Sequence, residues 1–490
     1  MERKENSKEE CNQEPDDNLV ITKHSIVLDG QSIEYTVTAG TIVLKEEIKE
    51  DEKSAGEKAK ATIFFIAYTR DDVEDKSQRP VTFSFNGGPG SASVWLHLGL
   101  LGPRRVYLDE DGNAPPPPYR LVDNEFSLLD MTDLVFIDPV STGYSRAVSG
   151  EKPKEFHNFK KDIESVGNFI RLYTTRYQRW TSPKFLIGES YGTTRAAGLS
   201  GYLQEKQGMY LNGLMLISSI LNFQTARFGT GNDLPYILFL PTYTATAWYH
   251  RRLPEELQAD LNQTLEEVKE FAMGEYTLAL MKGASLSAEE RATIVRKLAR
   301  YTGLSEVYVE QTNLRVNIHR FVKQLLRDQR RTVGRLDSRF TGIDRDAAGE
   351  MMEYDPSHAV IFGPYAATLN DYVRGELEYE SDTPYEVLAD LWKDWGYEEH
   401  QNQFLDVSET LRKAISMNPN LMVFVANGYY DLATPFLATE YTFNHLDLDP
   451  ALQGNISLAY YEAGHMMYVH HPSLAGLKQE LSAFLTAANP

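Results

Sequence analysis

The stretch Lys184-Phe185-Leu186-Ile187-Gly188-Glu189-Ser190-Tyr191-Gly192 decides the fold of this chain. A short apolar run breaks into Gly-x-Ser-x-Gly and is followed by a helical pattern over about residues 193–204. This arrangement is typical of a nucleophile elbow, in which a serine sits on a strained turn between a buried strand and a helix. The two glycines carry no side chain, so they keep the neighbouring backbone clear of the serine. Ser190 is therefore the candidate nucleophile.

Short apolar runs alternate with helical patterns on both sides of this stretch. Six further runs have the length of buried strands: residues 61–68, 80–85, 134–137, 214–217, 421–425 and 456–461. This alternation predicts an α/β fold with a mainly parallel central sheet. Nearer the start, Asp29-Gly30 separates two alternating runs and predicts an antiparallel hairpin over about residues 24–44. The mixed-charge residues 45–60 are interpreted as a solvated loop.

Composition divides the chain into four parts. Residues 1–20 are expected to form a disordered polar tail. Residues 21–221 and 404–490 carry the strand patterns and are predicted to be two parts of one α/β core. Residues 222–403 are rich in helical patterns and are predicted to form a helical cap inserted into that core.

Three aromatic residues near the start of the predicted cap could line a site beneath it: Tyr236, Tyr243 and Trp248. Packing inside the cap is the commoner role for such side chains.

The bulk properties exclude some classes of partner. The net charge of -21 disfavours binding to nucleic acids or anionic membranes, and neither partner is expected. No run approaches the roughly 20 apolar residues of a membrane span. A homodimer is possible.

The single cysteine, Cys11, and the absence of an apolar leader fit a cytoplasmic protein as the sequence is written. A periplasmic or secreted location is the alternative if a signal was removed. The adjacent histidines His470 and His471 diverge and have no apparent third ligand, so no metal or other cofactor is expected.

A serine nucleophile needs an imidazole to take its proton and a carboxylate to orient that imidazole. In a sheet with a nucleophile elbow, the order along the chain is serine, then Asp or Glu, then histidine, each after a later strand. Asp431 lies just beyond the strand predicted at 421–425, and His465 just beyond the one predicted at 456–461. These two residues therefore complete a candidate triad with Ser190.

The sequence Asn86-Gly87-Gly88-Pro89-Gly90 follows the predicted strand that ends at Phe85. Its glycines can bring backbone N–H groups against a substrate oxygen, and the N–H of Tyr191 would be the second donor. By itself such a turn is equally typical of a tight connection. No Gly-Lys-Ser/Thr follows it, so it is not a phosphate-binding loop.

Five parts of the sequence together resemble the serine carboxypeptidases, a family with the α/β-hydrolase fold: residues 86–90, residues 136–145, residues 188–192, Asp431 and residues 464–466. The resemblance extends from about residue 25 to the end of the chain. It implies that Ser190 is the nucleophile, that His465 is the base and acid, and that Asp431 orients the histidine. It also implies an oxyanion hole from the amides of Gly88 and Tyr191.

The resemblance further implies that Asn86, Gly87 and Glu189 bind the free C-terminal carboxylate of a peptide. A protonated Glu189 can donate a hydrogen bond to that carboxylate, whereas an ionised one would repel it. Burial would raise the pKa of this carboxyl. We therefore expect a serine-type carboxypeptidase that works through an acyl-enzyme on Ser190, at acidic pH.

Two positions depart from the family pattern. Leu100 stands where members often carry a second glutamate, which leaves Glu189 without its usual carboxyl partner. Ser91 stands where members carry a cysteine. Both departures fit a bacterial-type member. Leu100 could also mark a drift towards an esterase or acyltransferase that uses the same triad, although such an enzyme would not need Asn86 and Glu189. A non-catalytic binding protein is a third reading, against which the intact triad argues.

Overall fold

The computed structural model describes residues 15–50 and 53–489, and its centre is a mixed sheet of ten strands. In chain order the strands are β1 Asn18–Leu28, β2 Gln31–Glu50, β3 Lys53–Arg70, β4 Val81–Phe85, β5 Asp133–Ile137, β6 Arg146–Ala147, β7 Lys184–Glu189, β8 Gly213–Ile217, β9 Met422–Gly428 and β10 Ile456–Tyr461. Their spatial order is β1-β2-β3-β5-β4-β7-β8-β9-β10, and β6 pairs with β3. Strands β5, β4 and β7 to β10 are parallel, whereas β1, β2 and β3 are antiparallel to their neighbours.

The parallel strands are covered on both faces, which explains why β4, β5, β7 and β8 are buried throughout and mostly apolar. Successive residues of β7 enter different clusters: Ile187 packs with the last helix on one face, and Leu186 packs with the helices of the other face. The nine helices of at least eight residues in the described part of the chain are α1 Phe159–Arg176, α2 Tyr191–Gln207, α3 Leu240–Tyr249, α4 Leu261–Phe271, α5 Ala288–Thr302, α6 Pro356–Gly375, α7 Ser408–Met417, α8 Phe436–Asn444 and α9 His471–Ala487.

The antiparallel end of the sheet is longer than the sequence indicated. The hairpin at Asp29-Gly30 is confirmed, because β1 pairs with β2 from Leu28 and Gln31 onward. The loop interpretation of residues 45–60 is wrong for the described residues 45–50 and 53–60, where β2 and β3 continue to pair. Glu46 faces Lys58 across the two strands and Glu47 faces Glu57, so the backbone pairing there continues without apolar side chains.

Cys11 and most of the predicted tail lie within residues 1–14, which are outside the described residues. Strand β1 begins at Asn18, so the predicted boundary at residue 20 is too late. Leu19 and Val20 belong to the strand because they pair with Gly40 and Ala39.

Helices fill most of the chain between β8 and β9, and they belong to two packing units. Residues 237–333 contribute to a hydrophobic cluster that also includes Tyr430 and Phe436 from the segment after β9. Helix α6 packs instead against the core beside the sheet, through residues such as Tyr365 and Leu369. Of the helices in the described residues, none is long and apolar enough to span a membrane.

Candidate active site

Ser190 lies between the end of β7 and the start of α2, with φ 60° and ψ -128°. A non-glycine residue is strained in this region, as expected at a nucleophile elbow. Gly188 and Gly192, which flank this turn, have to be glycines because other backbone segments approach them closely. A Cβ on Gly188 would lie 2.1 Å from Gly192 O, and a Cβ on Gly192 would lie 2.7 Å from Phe85 O.

Asp431 and His465 lie just beyond the carboxyl ends of β9 and β10, and they are in direct contact. His465 Nδ1 is 2.7 Å from Asp431 Oδ2. Asp431 also accepts hydrogen bonds from Ala433 N at 2.7 Å, from Thr434 N at 3.0 Å and from Thr434 Oγ1 at 2.6 Å. The aspartate has no exposed surface, so these four bonds fix its carboxylate completely.

The position of Asp431 assigns the tautomer of His465. With Nδ1–H directed to the carboxylate, Nε2 is left to accept a proton. Burial lowers the pKa of His465, but the Asp431 carboxylate, with a further contribution from Glu189, holds it above its ordinary value. Ser190 and His465 line one cavity. Across the described residues the Ser190 hydroxyl makes no hydrogen bond to the imidazole, a contact that often tightens only when substrate binds.

The segment of residues 335–338, which precedes α6, holds the two loops that carry Asp431 and His465. Four hydrogen bonds join it to them: His465 N to Leu336 O (2.6 Å), Leu432 N to Arg335 O (3.0 Å), Ser338 N to Tyr430 O (3.0 Å) and Gly464 N to Asp337 Oδ2 (3.1 Å). Asp355, the N-cap residue of α6, accepts in turn from the amides of Arg335 and Leu336. Nothing in the sequence indicated this contact, because it joins segments far apart in the chain.

The glycine loop after β4 touches the elbow. A Cβ on Gly87 would lie 2.4 Å from Tyr191 N, so only a glycine allows this approach. Gly88 has φ +106°, a conformation that favours glycine. Tyr191 N is the first amide of α2 and has no intrahelical acceptor. The structure therefore brings the two expected oxyanion donors, the peptide units of Gly88 and Tyr191, together beside Ser190.

Glu189 lies on the floor of the same cavity as Ser190 and is 4% exposed. Asn86 Nδ2 donates to Glu189 Oε1 at 2.9 Å, and Asn86 Oδ1 accepts from Leu96 N at 3.1 Å, which fixes the orientation of the amide. Burial raises the pKa of Glu189 to about 7, although His465 and the hydrogen bonds from Tyr468 and Asn86 act in the opposite direction. The carboxyl is therefore mostly protonated below neutrality.

Sequence reasoning missed Tyr468, whose hydroxyl donates to Glu189 Oε2 at 2.5 Å. It lies three residues after His465, in a turn for which the sequence offered no chemical signal. Leu100, at the position of the absent second glutamate, is buried in a helical turn over His97–Leu101 and does not line the cavity. Of the described residues that line the cavity, Glu189 and Asp355 are the ones with a carboxyl group.

The cavity has a volume of about 900 Å³ and large apolar walls. Its aromatic lining consists of Trp95, Tyr191, Phe223, Phe239, Trp392, Tyr397 and Phe404. Tyr236, Tyr243 and Trp248 do not line it; they pack in or against the cluster formed by residues 237–333. Nowhere in the described ranges do three or more His, Cys, Asp or Glu side chains meet in a group that could hold a metal ion.

The fold and the site define an α/β-hydrolase with a mainly parallel sheet and a buried Ser-Asp-His arrangement at its strand ends. Within that class the chain belongs to the serine carboxypeptidase family, whose model matches residues 53–488. The bacterial-type assignment stays a prediction.

The relatives support the same family. The pheromone-processing carboxypeptidase KEX1 of Saccharomyces cerevisiae is 31% identical over 160 residues, which are 31% of this chain and 20% of that protein. Serine carboxypeptidase-like 34 of Arabidopsis thaliana is 26% identical over 176 residues, 32% of each chain. These matches thus span a third or less of the relatives' own length. The crystal structure of a KEX1 form from Saccharomyces cerevisiae has a TM-score of 0.56 at 17% identity, with 91% of each chain covered, and shows the shared fold.

Proposed function

We propose that this protein is a serine-type carboxypeptidase that releases C-terminal residues from peptides through an acyl-enzyme on Ser190. One observation carries the proposal: the buried Glu189 carboxyl, held by Asn86, lies on the floor of the cavity that also contains Ser190 and His465. A carboxyl that is protonated near neutrality can donate to a free carboxylate. An enzyme that acts on esters alone has no use for such a group beside its nucleophile.

The proposed reaction begins when the C-terminal carboxylate of a peptide binds to Asn86, Gly87 and Glu189. Ser190 Oγ then attacks the last peptide carbonyl while His465 Nε2 takes the hydroxyl proton. The amides of Gly88 and Tyr191 stabilise the oxyanion.

His465 next gives its proton to the leaving amine, the C–N bond breaks, and the terminal amino acid departs. Water, deprotonated by His465, then attacks the Ser190 ester and releases the shortened peptide.

Two protonation requirements are linked in this scheme. Substrate binding needs a protonated Glu189, and attack needs a neutral His465. The Glu189 anion raises the pKa of His465, so protonation of Glu189 makes the imidazole release its proton more readily. The apparent pKa values in a pH profile of kcat/KM therefore describe the coupled Glu189–His465 pair and not either residue alone. An acidic optimum stays a prediction, and we expect recognition of the carboxylate to weaken as the pH rises through about 7.

The deciding experiment compares an N-blocked dipeptide with a free C-terminus against its C-terminal amide, at about pH 6. We expect kcat/KM to be about 100-fold or more higher for the free acid, because the loss of two hydrogen bonds to a charged group has at least that effect. Ser190→Ala is the control for background hydrolysis. Equal rates for the two peptides would contradict the proposal.

An esterase or acyltransferase that uses the same triad is the second candidate, because Leu100 removes the second carboxyl of the family pattern. Equal rates for acid and amide, together with faster turnover of an ester, would favour it. A homodimer also stays a prediction.

A further inference from the structure

We propose that Tyr468 takes the place of the absent second carboxyl, and that its hydroxyl orients Glu189 so that recognition of the substrate carboxylate depends on a single proton. Tyr468 is thus a positioning residue for Glu189. The inference rests on the proposed carboxypeptidase function and identifies how this chain recognises its substrate despite Leu100.

The contacts of Glu189 support this role. Tyr468 Oη donates to Oε2 at 2.5 Å, while Asn86 Nδ2 donates to Oε1 at 2.9 Å. Tyr468 is 2% exposed, so the surrounding core fixes the position of its ring and hydroxyl. Each oxygen of the carboxyl therefore has one neutral donor, and the plane of the carboxyl is fixed relative to the cavity.

The backbone around Leu100 makes room for the tyrosine ring. A Cβ on Gly99 would lie 2.4 Å from Tyr468 Cε2 and 2.7 Å from Tyr365 Oη, so a side chain at position 99 would displace the ring. Leu100 itself is buried in the core, and the group that donates to Glu189 Oε2 is the Tyr468 hydroxyl. Gly99, Leu100 and Tyr468 together form an arrangement that replaces a pair of carboxyls with a carboxyl and a phenol.

This replacement changes how the site titrates. Two carboxyls that share a proton titrate as a coupled pair. Burial raises the pKa of Tyr468 well above its ordinary value, so the phenol stays neutral wherever Glu189 titrates. Four titratable groups face Glu189 from the elements around it: His465, Asp431, Tyr468 and, on α6, Tyr365. Both phenols stay neutral there, so Glu189 and His465 are the groups among these that exchange protons near neutrality, and the form that binds and attacks carries one proton, on Glu189.

The first test needs no variant. In the wild-type enzyme the logarithm of kcat/KM for a free-acid peptide should fall with a slope of about -1 on the alkaline side, as expected for the loss of one proton. A slope of about -2 would show two coupled groups and would overturn the inference.

The second test compares Tyr468→Phe with Tyr365→Phe, which removes a neighbouring buried hydroxyl that makes no hydrogen bond to Glu189. Loss of the Tyr468 donor destabilises the Glu189 anion, so the alkaline midpoint should rise by about one pH unit. Near pH 5 we expect KM for the free acid to rise about three- to tenfold, with kcat nearly unchanged, because the carboxyl is less well oriented. Tyr365→Phe should leave the midpoint in place.

An unchanged midpoint in Tyr468→Phe, or an equal shift in both variants, would overturn the inference. These outcomes differ from failure of the proposed function, in which the wild-type enzyme itself would not prefer the free acid to the amide. If Tyr468→Phe does not fold, Gly99→Ala is the second variant: its Cβ would lie 2.4 Å from Tyr468 Cε2 and displace the ring, so it should raise the alkaline midpoint in the same direction, and an unchanged midpoint would overturn the inference.

Discussion

Replacing Glu189 with glutamine tests the chemistry of the carboxylate site directly. The variant Glu189→Gln keeps the shape of the side chain and an oxygen for the hydrogen bond from Asn86, and the Tyr468 hydroxyl rotates to accept from the new NH2 group. Its NH2 group donates at every pH, so a substrate carboxylate can bind without prior protonation. We therefore expect the loss of kcat/KM above about pH 7 to disappear for free-acid peptides.

The same substitution has a calculable effect on stability. The pKa of Glu189 is raised from its ordinary value of 4.5 to about 7. The folded state therefore holds this proton more tightly than the unfolded state does. The stability that depends on the proton is fully present below pH 4.5 and is lost as the pH rises through about 7. The difference corresponds to about 3 kcal/mol at alkaline pH. Glutamine has no proton to lose, so it avoids this loss.

Urea denaturation of the wild type and Glu189→Gln at several pH values between about 4 and 8 measures this effect. The variant should gain about 3 kcal/mol of unfolding free energy relative to the wild type across that range. Glu270→Gln, at an exposed position on α4, is the matched control and should show a constant difference. A difference between wild type and Glu189→Gln that does not change with pH would refute the argument, because the buried carboxyl would then have an ordinary pKa.

Three other substitutions test the remaining parts of the site. Ser190→Ala should abolish turnover with the fold retained, and Ser190→Gly should be about 1 kcal/mol more stable than Ser190→Ala, since φ 60° favours glycine; thermal melting and circular dichroism measure both, and equal melting temperatures would argue against strain. Asp431→Asn should lower kcat roughly 10³- to 10⁴-fold with little change in KM, because His465 loses the partner that sets its tautomer; steady-state kinetics would contradict this if KM alone changed. Gly87→Ala should lower kcat by roughly 10²-fold on ester and peptide substrates alike, because its Cβ would lie 2.4 Å from Tyr191 N and displace that oxyanion donor; an effect on free-acid peptides alone would show that only the carboxylate contact of Gly87 is lost.

The parts of the site that follow buried strands could be predicted from the sequence. Ser190, Asp431 and His465 each stand one to four residues after an apolar strand, and parallel strands bring their carboxyl ends to one edge of the sheet. The glycines at 87, 188 and 192 could be predicted as well. Where two backbones approach closely only a glycine fits, so the contact is visible in the sequence.

Features that depend on tertiary contacts could not be predicted. Tyr468 has no local pattern that distinguishes it from a core aromatic residue, and its role arises from the space that Gly99 leaves. The continuation of β2 and β3 through the charged residues 45–50 and 53–60 was missed because its pairing depends on cross-strand partners and not on hydrophobic alternation.

The attachment of residues 335–338 to the catalytic loops has a consequence for engineering and for divergence within the family. Arg335 and Leu336 line the cavity, and their backbone carbonyls hold the loops of Asp431 and His465. One wall of the cavity and the segment that holds the imidazole in place are thus the same piece of chain. A chimera that exchanges the region between β8 and β9 with that of a relative would therefore have to keep this segment in register. If residues 335–338 were displaced, the chimera would change its substrate preference and lose turnover at the same time.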